Sequence, residues 1–172
     1  MNTGTFEATV FVCSVQGFTK RSNEMTPADL AAWTNGFLRR ITDAVVRERG
    51  APVKYIGDAL PAYFAEPGHE ERALRAAKAA RHGAGEPLVI GLASGPIFLA
   101  EIGHPEWARP DILGATVNAA FRVLDWAGSN TTGGIAIAGT LPHALAARVE
   151  RKRHAAVQLK GFPNPIDITE VV

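Results

Sequence analysis

The run over residues 6–15, Phe-Glu-Ala-Thr-Val-Phe-Val-Cys-Ser-Val, constrains this chain more than any other stretch. Its β-branched and aromatic residues predict a strand, which the turn-like pair Gln16-Gly17 closes. Strand alternation then turns Cys13 and Ser14 to opposite faces. Cys13 is the single cysteine, so no intramolecular disulfide and no cysteine-based metal site can form. In such an apolar run a buried, inert thiol is expected.

Downstream, Thr26 is expected to cap a helix whose first turn holds Pro27. Leu30, Trp33, Phe37, Ile41, Ala44 and Val45 recur mostly at spacings of three and four, which marks a buried stripe. Two short extended runs, 52–56 and 59–64, flank Gly57-Asp58 and read as a hairpin with its tip there. Pro61 has no N–H to give a ladder, so its strand is expected at an edge or at a bulge. A second helix is expected over about 70–82, a strand over 87–94 and an extended stretch over 97–102. A polar connection, 104–110, leads to a helix over 116–127. Then follow a strand at 135–138, a short helix near 141–149, and strands at 157–160 and 166–171. The basic run 148–153, broken by Glu150, reads as a solvated helix end. This order of elements predicts an α+β fold with helices packed on a mixed or antiparallel sheet.

With 172 residues, 47% of them apolar, the chain suffices for one well-buried domain over 1–172 and is short for two. A formal net charge of +1 gives no field of one sign, which argues against nucleic acid or an anionic membrane surface as partner. No apolar stretch approaches the roughly 18 residues of a membrane span, and the N-terminus lacks a secretory pattern. A soluble, cytoplasmic protein is the expectation.

Several polar residues fall at strand ends and turns. Lys54 and Asp58 bracket the hairpin tip, Asp111 follows the Pro-bearing connection, and Lys160 precedes Gly161. Asn118 and Arg122, four apart, share a helix face. Donors of this kind suit a polyphosphate, and an Asp suits a divalent cation. The same residues also furnish an ordinary wet surface, and on residue chemistry alone both readings stand.

Their order and local context carry a resemblance. The stretch Val10-Phe11-Val12-Cys13-Ser14-Val15-Gln16-Gly17-Phe18-Thr19 resembles the opening strand of class III nucleotidyl cyclases, an apolar run with an Asp followed by Gly-Phe-Thr. Lys54-Tyr55-Ile56-Gly57-Asp58-Ala59 is similar to that family's second signature. Asp111-Ile112-Leu113-Gly114, with Val117-Asn118 and Arg122, is similar to the third, and Leu159-Lys160-Gly161 to a late Lys-Gly. The resemblance runs from about residue 8 to the C-terminus.

It implies a ferredoxin-like βαββαβ core with additions and a mainly antiparallel sheet, assembled as a head-to-tail dimer with shared sites. In that scheme carboxylates at the positions of Ser14 and Asp58 hold two divalent metals, Mg²⁺ or Mn²⁺. The partner subunit contributes Lys54 and Asp111 to read adenine, Asn118 to orient the ribose, and Arg122 to stabilise charge at the α-phosphate; Lys160 meets the terminal phosphates. Lys54 with Asp111 favours ATP, since guanylyl cyclases typically carry Glu and Cys there. The implied reaction turns ATP into 3′,5′-cyclic AMP and pyrophosphate.

Ser14 departs from the pattern, standing where the family has Asp. A neutral hydroxyl is a poor Mg²⁺ ligand. Gln16 is a neutral amide, and the nearest acidic residues, Glu7 and Glu24, lie well away in sequence. A loss of about 10² or more in rate is expected. The alternative implied by the same departure is a catalytically silent module that binds nucleotide, or one that pairs with an intact cyclase domain as a heterodimer.

Overall fold

The structure is a computed structural model and describes residues 3–172. β1 (Gly4–Val15) forms the middle of its first half and pairs antiparallel with a strand on either side. After it come α1 (Phe18–Ser22), α2 (Pro27–Arg47), β2 (Ala51–Pro52), β3 (Leu60–Ala65), α3 (His69–Gly83) and β4 (Leu88–Ile102). Taken as β1-α2-β2-β3-α3-β4, these stand side by side in the order β2-β3-β1-β4 with every neighbour antiparallel. That is the expected βαββαβ ferredoxin-like core.

The additions are β5 (Arg109–Leu113), α4 (Ala115–Asn130), β6 (Ile135–Ala138), α5 (His143–Ala146), β7 (Arg151–Val157) and β8 (Ile166–Val171). They extend the sheet to β2-β3-β1-β4-β6-β8-β7, while β5 folds back on the far half of β4. β4 and β6 run parallel, and α4 makes the crossover between them, as parallel neighbours require.

Alternation along β1 builds two cores. Phe11, Cys13 and Val15 face α2 and α3, where Phe37, Ile41, Val45, Leu74 and Ala77 close over them. Val10 and Val12 face the other way, under Val117, Ala120, Val123 and Leu124 of α4. Each fully buried Phe, Ile or Val contributes about 1.5–3 kcal/mol, so the two-sided burial anchors β1 firmly in the fold. α4 lies very close to the sheet at Gly91, where a Cβ would come within 2.3 Å of the Ala120 carbonyl oxygen. Thr26 caps α2 as expected, its Oγ1 accepting from the Asp29 N–H at 3.2 Å.

Pro61 sits in β3, next to the two-residue edge strand β2. Its carbonyl accepts from the Val53 N–H at 3.0 Å, so its nitrogen also faces that barely paired side. The absent donor therefore costs no ladder bond.

Several boundaries differ from the sequence expectations. The runs 87–94 and 97–102 are one strand, β4, because Gly95 continues the extended chain instead of ending it. Arg109 and Pro110, expected in a connection, already belong to β5. The short helix keeps only His143–Ala146 of its expected span. The basic run 148–153 is not a helix end: from Arg151 it enters β7, an edge strand, where exposed Arg and Lys side chains discourage pairing with another chain. Correspondingly the expected strand at 157–160 retains Val157 alone, because the chain turns at Gly161 and Leu159 folds in against the α4 core.

Candidate active site

Two clusters of the polar residues singled out above form at the ends of β1, β3, β5 and α4. In the first, Gly57 and Asp58 make a two-residue turn, with Ile56 and Ala59 exchanging hydrogen bonds of 2.9 Å on both sides. Gly57 supplies the left-handed backbone (φ 61°) that this turn needs. The turn delivers the Asp58 carboxylate to the end of β1. There Oδ2 accepts from the Ser14 hydroxyl at 2.7 Å and from the Val15 N–H at 2.9 Å.

Cys13, one residue away, points into the opposite core and is fully buried. Burial pushes its thiol well above the ordinary range, and the Asp58 charge pushes it further the same way. The expected buried thiol is what the fold produces.

In the second cluster, Lys54 projects from the loop between β2 and β3 and pairs its ammonium with Oδ2 of Asp111 on β5. The other Asp111 oxygen accepts from the Ile112 N–H at 2.9 Å, which fixes the carboxylate on its strand. Lys54, Asp111 and Asn118 line one cavity of about 250 Å³, with Ile56, Pro61 and Phe121 among its apolar walls. The cavity thus offers a donor beside an acceptor at the lip of an apolar slot, geometry that suits a flat heteroaromatic ring with both kinds of group.

Two expected residues lie outside that wall. Arg122, one turn beyond Asn118 on α4, pairs with Asp125 at 3.1 Å along its own helix. Lys160 is exposed in the turn after β7. Ile56, Ile112 and Phe121 line the cavity without having been assigned to the site from the sequence. Phe121 had a signal, since it follows Asn118 by three residues on one helix.

Divalent metal was implied for the Asp58 end, and the residues there do not fit a two-metal site. Among the described residues no three His, Cys, Asp or Glu side chains gather as a metal would need. Asp58 is the one carboxylate at that end named by the sequence pattern, and one of its oxygens already takes two protein donors.

The architecture is that of adenylyl and guanylyl cyclase catalytic domains, as the sequence resemblance implied. It is similar to the crystal structure of the adenylyl cyclase CyaB from P. aeruginosa, with a TM-score of 0.82 at 22% identity over 100% of this chain and 96% of that one. It is equally similar to the guanylate cyclase domain of RhGC from Catenaria anguillulae, with a TM-score of 0.84 at 23% identity and 96% of both chains covered.

By sequence it resembles the uncharacterized protein Rv1318c of Mycobacterium tuberculosis, 28% identical over 96% of this chain. It also resembles an adenylate cyclase of Anabaena cylindrica, 27% identical over 67% of this chain. The chain spans 32% and 26% of the lengths of those two relatives. No family model matches the chain. No helix among the described residues is long and apolar enough to cross a membrane.

Proposed function

We propose that this chain is a nucleotidyl cyclase-type domain directed at ATP, with turnover weak or lost because Ser14 stands in place of a metal-binding Asp. The reaction it is built around joins the ribose 3′-oxygen to the α-phosphorus, releasing pyrophosphate and the hydroxyl proton. The observation that carries the reading is the Lys54–Asp111 pair at the mouth of the cavity that Asn118 also lines. A lysine donor beside an aspartate acceptor complements the N1 and N6 edge of adenine. Among proteins of this fold, the Catenaria domain is described in complex with GTP, and a rhodopsin-guanylyl cyclase core of converted specificity in complex with ATPαS. Nucleotide binding on this architecture is therefore the natural assignment.

Arg122 and Lys160 take part in this reading through the phosphates, across a dimer in which each site draws on both subunits. Phe98, Leu113, Ile102 and Trp107, all on or beside the exposed β4–β5 hairpin, give that assembly an apolar surface to bury. The second reading is a silent nucleotide-binding or regulatory module paired with an intact cyclase domain. It is favoured by the Ser14–Asp58 hydrogen bond, which leaves the metal side without its carboxylate pair while Lys54 and Asp111 stay together at the cavity.

Calorimetric titration of ATP with Mn²⁺, beside a cyclic AMP assay on the wild type and Ser14→Asp, tests these readings. The expected result is ATP binding by both chains and cyclic AMP formation raised about 10²-fold in Ser14→Asp. A wild type that neither binds ATP nor gains activity from Ser14→Asp sinks the nucleotide assignment. Mixing with an intact cyclase domain separates the second reading, which requires a heterodimer and a gain in cyclic AMP.

A further inference from the structure

The loop that carries Lys54 is thinly held. β2 spans only two residues, and Lys54, Tyr55, Ile56 and Gly57 are all exposed. Apart from the Lys54–Asp111 pair, three hydrogen-bonded contacts tie the segment to the rest of the described residues. The Val53 N–H donates to the Pro61 carbonyl at 3.0 Å, and the Tyr55 hydroxyl shares a hydrogen bond of 2.9 Å with Thr42 on α2. The third is Asp58, locked by Ser14 and Val15. It alone of the three reaches β1, a strand with both faces buried.

The place of this contact in the ladder explains its form. The last rung between β1 and β3 joins Cys13 to Leu60. One step beyond, Ser14 would face Ala59, and Val15 would face Asp58, but the chain has already entered the Gly57-Asp58 turn. The Asp58 carboxylate therefore accepts the Val15 N–H in place of a backbone carbonyl, and the Ser14 hydroxyl donates to the same oxygen. A second carboxylate at position 14 would set two like charges within hydrogen-bond distance and would need a cation between them. The hydroxyl reverses that requirement. It supplies a proton where a carboxylate pair demands a metal, and hydrogen bonds to an ionised acceptor are the strong ones.

We infer that Ser14 and Asp58 form a metal-free latch whose task is to position the Lys54 loop at the cavity mouth. Asp58 is then a positioning residue acting through the loop, and the chain gains its order there without taking up a cation. The consequence for ligand affinity rests on the nucleotide reading above. The latch itself does not.

Hydrogen exchange on the full chain, followed by mass spectrometry over residues 53–59, tests the latch without nucleotide. Wild type, Ser14→Ala and Ser14→Thr are compared in EDTA and in Mn²⁺. Loss of a hydrogen bond to a charged acceptor should speed exchange of the segment about tenfold in Ser14→Ala. Ser14→Thr, which keeps the hydroxyl and suits a strand, should exchange like the wild type. Mn²⁺ should leave the wild-type rates unchanged. Ser14→Ala exchanging at the wild-type rate, or Mn²⁺ slowing the wild type, overturns the latch.

ATP titration in EDTA then reads the positioning. Ser14→Ala should bind about 3–10-fold more weakly and Ser14→Thr like the wild type. Equal affinities in all three chains overturn the positioning role. A wild type that binds no ATP in EDTA overturns the positioning role; the nucleotide reading is decided by the Mn²⁺ titration above, and the exchange rates still decide the latch.

Discussion

The ammonium of Lys54 meets the carboxylate of Asp111 across 57 residues of chain, joining the β2–β3 loop to β5 at the lip of a cavity. Each partner satisfies the other. The pair is half exposed on the lysine side, so its own contribution to stability is small, about 0–1 kcal/mol. In the proposed function its consequence lies in recognition.

Replacing Lys54 by Ala should weaken ATP binding about tenfold while leaving the melting temperature close to that of the wild type. The double substitution Lys54→Glu, Asp111→Cys should turn the preference toward GTP, measured by competition between the two nucleotides. An unchanged ratio of ATP to GTP affinity in the double variant would refute base reading by these two residues.

Gly91 decides how closely α4 can lie on the sheet. A Cβ there would stand 2.3 Å from the Ala120 oxygen and 2.6 Å from the Leu124 nitrogen, both backbone atoms that cannot move aside. Gly91→Ala is expected to cost about 1–3 kcal/mol. Calorimetry should show this as a melting temperature lower by about 2–12 °C. Because Asn118 rides on α4, nucleotide affinity should fall with it. A variant as stable as the wild type would mean that α4 is not seated on this glycine.

Glu170 on β8 is 3% exposed and accepts from His154 Nε2 at 2.8 Å and from the Thr132 N–H at 3.1 Å. Burial pushes its carboxyl up, but the hydrogen bonds from His154, Thr132 and Gly133 and the His154 charge together bring it below its ordinary 4.5. A depressed folded value means the unfolded chain binds the proton more tightly. The stabilisation is therefore complete above pH 4.5 and is lost as pH falls through the folded value. Thermal unfolding from pH 7 to pH 3 should show Glu170→Gln less stable than wild type at pH 7, with the gap closing below about pH 4.5. A gap that stays constant across this range would contradict the assignment.

Cys13 has no exposed surface, and its thiol is pushed up by burial and then by the Asp58 charge. A thiol-reactive disulfide reagent should leave the native chain unmodified and label one thiol per chain once the chain is unfolded in guanidinium. Rapid labelling under native conditions would place Cys13 outside the core described here.

The fate of particular residues shows where sequence reasoning stops. Cys13 and Ser14 were assigned to opposite faces correctly because period-two alternation is a local property of the backbone. Thr26 and Pro27 mark the start of α2 for the same reason: a cap needs only its neighbours. The basic run 148–153 reads as a helix end, yet from Arg151 it is a strand, because edge position and not composition makes it one. An edge strand satisfies only one side of its backbone and carries little hydrophobic pattern to announce it.

The sequence by itself determined the β1 run and the order of the βαββαβ elements, and it named the polar side chains proposed for a nucleotide. The tertiary structure alone decided how those side chains are spent. It turned Asp58 onto Ser14 and Val15, set Lys54 against Asp111, kept Asn118 at the cavity, and left Arg122 on Asp125 and Lys160 in solvent. The physical reason is distance: partners tens of residues apart meet only after the sheet order is fixed, and a hydrogen bond of 2.7 Å depends on where two strands end.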